Sequence, residues 1–246
     1  TPLHSSAASD VYKRQLVNTV NEGDLVLMVE TGHFASLWNK MALKLGIKTE
    51  FLETDWRRGV EPEKLFDRLK KDIDKKIKAV CVVHNETSTG SISRIKEVRE
   101  AINSANHNAL LMVDSISGLA SLEYKHDEWG VDVTVSGSQK GLMLPPGLSF
   151  NAISEKALLA SNENSMKRSY WDWKEQIQSN KQGSFPYTPA TNLLYGLKEA
   201  IDMLHEEGLE NVFKRHDRHA QATRVAVQAW GLSLIHISEP TRPLRI

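Results

Sequence analysis

The chain has 246 residues, 40% hydrophobic and 25% charged, ordinary values for a globular protein with a buried core and enough length for one large α/β domain or one domain with part of a second. Its 31 Lys and Arg balance its 31 Asp and Glu, so no net field draws it toward nucleic acid or an anionic membrane. No apolar run approaches the roughly 18 residues that span a bilayer, and a single cysteine excludes an internal disulfide.

In chain order, residues 1–15 show no amphipathic period and lack the apolar stretch of a signal peptide. At the other end, residues 233–246 break off a helical pattern with Pro240 and Pro243. The runs 11–15 and 234–243 resemble translated sequencing-adaptor sequence, so both ends are set aside as non-native extensions. Between them, short apolar runs alternate with amphipathic ones. The strands expected are 25–30, 49–52, 79–84, 109–114, 131–136 and 148–153, with helices over 35–45, 62–71 and 94–104. That alternation predicts an α/β fold, a mostly parallel sheet flanked by helices. Cys81 sits inside an apolar strand and reads as a small buried side chain. After Ile153 helices take over, at 156–162, 170–179, 193–207 and 209–230, interrupted by the turn-rich stretch 182–189. Trp171 and Trp173 are two residues apart and cannot share a helix face, which places at least one of them at a surface or interface.

Open parallel sheets bind ligands outside the carboxyl ends of their strands, and the polar segments 84–90, 114–118 and 136–140 each follow a strand. Val133-Thr134-Val135-Ser136-Gly137-Ser138-Gln139-Lys140-Gly141 runs from a β-branched strand through small residues to one lysine. Small residues let a backbone approach a bulky cofactor, and the amine is a potential nucleophile. Taken alone, Lys140 reads more readily as a surface lysine in a turn. Asp114 closes the apolar run 109–113, where a carboxylate needs a cationic partner or must serve as a helix cap. A lysine and an acid presented together suit pyridoxal phosphate, which requires an amine for its Schiff base and an acid at its ring nitrogen.

The segments His84-Asn85-Glu86-Thr87-Ser88-Thr89-Gly90, Val113-Asp114-Ser115 and Ser136 to Leu148 together resemble the class V aminotransferases of fold type I, in their serine– and alanine–glyoxylate branch. The resemblance covers essentially all of Leu16 to Leu232. It implies that Lys140 is the Schiff-base lysine, Asp114 the partner of the pyridine nitrogen, Thr87 the hydroxyl at the ring's phenolic oxygen, and Gln139 a holder of the cofactor's polar edge. By the same resemblance Phe34 stacks on the ring, where alanine-type relatives have tryptophan, and Thr188 reaches the phosphate of a neighbouring subunit's cofactor. His33 and His84 are given no catalytic role, and no metal is expected.

The implied activity is transfer of an amino group from serine or alanine to glyoxylate, giving hydroxypyruvate or pyruvate and glycine, with pyridoxal 5′-phosphate as cofactor. The implied setting is a cytoplasmic homodimer that works on small amino and keto acids. Residues 16–208 would form the cofactor-binding large domain, lacking its N-terminal phosphate loop. Residues 209–232 would lead to a C-terminal domain, outside the chain, that carries the arginine for the substrate carboxylate. The alternatives are another class V enzyme, such as a cysteine desulfurase, and a non-catalytic fragment that keeps the fold.

Overall fold

The computed structural model describes residues 6–232, with side chains from Tyr12 onward. In chain order its elements are α1 (Ser6–Thr19), β1 (Leu25–Glu30), α2 (His33–Lys44), β2 (Lys48–Glu53), α3 (Pro62–Lys71), β3 (Ile77–Val83), a short hairpin of β4 (Asn85–Glu86) and β5 (Ser91–Ile92), α4 (Ile95–Ser104), β6 (Leu110–Asp114), β7 (Val133–Gly137) and β8 (Ser149–Ile153). Then come α5 (Glu155–Glu163), a 3-10 turn (Ser169–Trp171), α6 (Trp173–Lys181), α7 (Thr191–Glu207) and α8 (Leu209–Ala229).

The main sheet has the order β2-β1-β3-β6-β7-β8. Its first five strands run parallel and β8 runs antiparallel on the edge. Because successive side chains in a strand point to opposite faces, the continuous apolar runs of the central strands feed two cores. Val26 and Met28 of β1, Ala79 and Cys81 of β3, and Leu110 and Met112 of β6 join Leu16, Trp38, Ala157 and Trp173 on one face. Leu27 and Val29, Val80 and Val82, and Leu111 and Val113 join Leu65, Leu69, Val98 and Ile102 on the other. Helices α1, α2, α5 and α6 therefore cover one side, and α3 and α4 the other. This is the α/β arrangement expected from the alternating pattern.

The helix over residues 6–15 was not expected. Tyr12 and Leu16, four apart, are both buried, as are Thr19 and Val20, so the helical repeat straddles residue 15 and is lost when the segment is read only up to that point. The fit is imperfect: Arg14 Nε and both polar atoms of the Gln15 side chain are buried without a hydrogen-bond partner among the described residues, a local conflict between sequence and fold. Residues 1–5 and the second adaptor-like stretch, 233–246, lie outside the described residues. Of the tryptophan pair, Trp173 is buried and donates to Asn151 Oδ1 at 3.1 Å, while Trp171 is half-buried beneath the Lys13 amine, 4.1 Å from its ring centre. Among the described residues no helix is long and apolar enough to cross a membrane.

Candidate active site

Parallel strands bring their carboxyl ends to one edge of the sheet. In register, Val83 at the end of β3 pairs with Asp114 at the end of β6, which pairs with Val135 of β7. The segments carrying Phe34, Thr87, Asp114, Gln139 and Lys140 all leave the sheet along this edge.

Asp114 lies deepest and is only 4% exposed. Its Oδ1 accepts from the Ile116 amide at 2.8 Å, capping the turn in which Ser115 O receives the Gly118 and Leu119 amides. Its Oδ2 accepts from the Tyr12 hydroxyl. No ion pair with Asp114 forms among the described residues. Burial therefore dominates and pushes its carboxyl up to about 6, while the Tyr12 and Ile116 bonds pull it down and the charge of Glu86 adds to the rise. Tyr12 is itself buried, with its phenol pushed well above the usual range, first by burial and then by Asp114. It stays protonated and donates. Its ring stacks on Trp38 at 5.1 Å, nearly parallel.

Lys140 stands at the tip of a loop built to close tolerances. Ser138 Oγ donates to Pro145 O at 2.8 Å and accepts from the Leu148 amide at 3.2 Å, which ties the two ends of the loop together. Met143 N donates to Lys140 O at 2.8 Å and closes the turn. A Cβ on Gly141 would lie 2.2 Å from Leu119 O, so only glycine lets this loop seat against the turn that follows Asp114. The lysine is exposed, whereas the Gln139 Oε1 folds back to within 2.7 Å of where a Cβ on Gly137 would sit.

Thr87 is exposed in the turn between β4 and β5, and Phe34 is half-buried in the first turn of α2 beside exposed His33. His84 is buried against Tyr124 and Trp129, with ring centres 5.2 and 6.2 Å away, and burial lowers it to about 4. It is a neutral packing residue at working pH. Thr188 lies in the exposed stretch ahead of α7 and makes no hydrogen bond among the described residues. It is the one candidate that the fold does not bring to the strand ends.

Thr31 Oγ1, His84 Nδ1, Ser136 Oγ and Gln139 Oε1 are buried without partners among the described residues, all at or just past the ends of β1, β3 and β7. A buried acid and an exposed amine on adjacent strand ends are the donor set that a polar, aromatic cofactor such as pyridoxal phosphate needs; His84 and Ser136 lie on the sheet face of Tyr124, opposite the Asp114 carboxylate. Among the described residues no cluster of His, Cys, Asp and Glu is placed to hold a metal ion. A cavity of about 230 Å³ lies between the 119–124 stretch and helices α7 and α8. Its wall is apolar apart from His205 and the Tyr124 hydroxyl, so it lacks the amine and acid that mark the strand-end site.

Comparison with known protein families matches residues 5–243 to the family described as Aminotransferase class-V. The chain belongs to the class V aminotransferases. It is 48% identical to a serine–glyoxylate aminotransferase of Methylorubrum extorquens, over 94% of this chain and 58% of the relative. An L-aspartate–glyoxylate aminotransferase of Paracoccus denitrificans is 40% identical over 94% of this chain and 59% of its own length. Among solved structures, the ureidoglycine–glyoxylate aminotransferase of Bacillus subtilis superposes with a TM-score of 0.82 at 30% identity, over 92% of this chain and 58% of that one. The chain thus spans rather more than half the length of the relatives it matches.

Within this class V aminotransferase fold, two side chains at the site were not singled out from the sequence. Tyr12 lies in the segment 1–15, whose sequence carries no amphipathic period of its own. Glu86 stood inside a recognised stretch, but nothing in the spacing shows that a carboxylate there turns inward.

Proposed function

We propose that the whole protein is a pyridoxal-phosphate-dependent transaminase that moves the amino group of serine, with alanine as the other candidate donor, to glyoxylate, yielding hydroxypyruvate or pyruvate and glycine. The observation that carries this reading is the placement of an exposed Lys140 and a buried Asp114 on adjacent strand ends. The substrate assignment is supported by the relatives: all three reported above are named for glyoxylate, whereas the donor varies among serine, aspartate and ureidoglycine.

Lys140 would anchor the cofactor through Nζ, Asp114 would hold a proton on its ring nitrogen, and Phe34 would offer a π-face for stacking. Thr87 and Gln139 would hold the polar edge. When bound, the cofactor supplies an electron sink for the Cα–H bond of an amino acid. Lys140, once released by the incoming amine, would carry the proton lost from the substrate Cα, a role suited to an exposed side chain. Asp114 can serve only when ionised, and the Tyr12 hydroxyl and Ile116 amide favour that form against the cost of burial.

A homodimer with Thr188 reaching the partner's site is part of the same proposal. It is supported by Phe185 and Tyr187, each 46% exposed, and Tyr195, 77% exposed, around that segment, an apolar aromatic surface of the kind that interfaces cover. The cytoplasm is the proposed compartment. A desulfurase would need a mobile cysteine, and Cys81, the one cysteine of this sequence, is 2% exposed with its thiol held protonated by burial.

The test is spectroscopic. Added pyridoxal phosphate is expected to give a shifted visible band with the wild-type chain and only the free-cofactor spectrum with Lys140→Ala. An equal shift in both would remove Lys140 from the assignment, and no shift in the wild type would favour a fragment that does not bind the cofactor.

A further inference from the structure

Glu86 is a carboxylate with 0% exposure, and among the described residues it forms no ion pair. A buried, unpaired carboxylate is costly unless several donors converge on it. Here they do. Oε1 accepts from Ser88 Oγ at 2.7 Å, from the Ser88 amide at 3.1 Å and from the Phe34 amide at 3.4 Å, while Oε2 accepts from the Ala35 amide at 3.4 Å. Ser88 Oγ in turn accepts from the His33 amide at 2.9 Å.

The first turn of α2 explains why. Its N-cap is Gly32, which offers no side chain to the first amides of the helix. The β4–β5 turn supplies the cap from a distance, and the negative charge suits the positive end of the helix. Gly32 is also where the two segments press together: a Cβ there would lie 2.6 Å from Glu86 Cγ and 2.6 Å from Ser88 Oγ.

We propose that Glu86 is a positioning residue: through Ser88 and the first amides of α2 it locks Phe34, the proposed stacking ring, against the turn carrying Thr87, so that ring and hydroxyl are presented to the cofactor as one rigid unit. The proposal rests on the cofactor reading above. Glu86 does not touch the cofactor; it acts through the backbone of the residues that do. Its charge also faces Asp114 from the neighbouring strand end and adds to the proton affinity of that acid.

The test is a double-mutant cycle on the full chain, read by pyridoxal phosphate titration and by the circular dichroism of the bound cofactor's visible band. Glu86→Gln and the milder Ser88→Ala are each expected to weaken binding about five- to tenfold, the loss of one or two hydrogen bonds to a charged group, and to reduce the dichroic signal per bound cofactor. In a Phe34→Leu background the same changes are expected to cost less than twofold, because the ring they position is already gone. Equal losses in both backgrounds, or full binding with an unchanged dichroic band in both Glu86→Gln and Ser88→Ala, would overturn the proposal. If Glu86→Gln fails to fold, Ser88→Ala decides the matter alone. A wild-type chain that binds no pyridoxal phosphate would instead overturn the cofactor reading.

Discussion

At the scale of single residues, the candidate site turns on Asp114 and the hydrogen bond it accepts from Tyr12. The Asp114 carboxyl is raised by burial to about 6, above its ordinary value near 4. A carboxylate raised in this way stays protonated in the folded chain over a window where the unfolded chain has already lost the proton. Its contribution to stability is therefore full below about pH 4 and is lost as pH rises to about 6. Under the proposed role of Asp114 cofactor binding runs the other way, because only its ionised form would hold the ring proton, so affinity should rise through about pH 6. Tyr12→Phe removes one of the two bonds that favour the charged form, and the rise should move to higher pH without a change in the visible band. A titration series over pH checks this, and an unshifted profile would show that the Tyr12 contact is electrostatically idle. Asp114→Asn should abolish the pH step and weaken binding about tenfold or more, as expected for loss of a charge-assisted bond. Full affinity in that variant would leave Asp114 only its structural bonds to Ile116 and Tyr12.

At the scale of elements, the loop that carries Lys140 depends on contact with the turn after Asp114. Gly141→Ala would drive a methyl group into Leu119 O, 2.2 Å from the Cβ position, and backbone there cannot move aside cheaply. The loop must shift instead. The variant should keep a cooperative unfolding transition with a loss of about 1–3 kcal/mol, the usual cost of overpacking, yet bind the cofactor at least tenfold more weakly; undiminished binding would show that the loop is not held by this contact. Most elements are legible in the sequence, for a physical reason. Leu25–Glu30 and Pro62–Lys71 fall where the apolar runs and Pro62 put them, because the central strands are buried on both faces and the helices on one. What could not be read depended on contacts between distant segments. The β4–β5 hairpin has only two residues per strand, too few for a pattern. The inward turn of Glu86 comes from a helix start some fifty residues earlier. The first helix is not legible within residues 1–15 because its buried repeat, Tyr12, Leu16, Thr19 and Val20, crosses residue 15.

At the scale of the whole molecule, the sheet has a core on each face, and Leu111, which is fully buried, belongs to the second. Leu111→Ala should cost about 2–5 kcal/mol of stability by denaturant unfolding. The face around Phe185, Tyr187 and Tyr195 stands outside both cores, and if it meets a second copy, sedimentation should show a concentration-dependent dimer that Tyr195→Glu disrupts. A monomer at all concentrations would remove the shared-site role of Thr188. The resemblance to the class V aminotransferases agrees with the family match, while the donor has no signature in these residues: relatives at 48% and 40% identity are named for serine and for aspartate.

The central claim is that one particular lysine holds the cofactor. Incubating the full chain with pyridoxal phosphate, reducing with borohydride and mapping the peptides by mass spectrometry tests it most directly. The account predicts one modified site, Lys140, at near-stoichiometric yield, with the label lost in Lys140→Ala. Label spread over exposed lysines, or concentrated on another one, would contradict it.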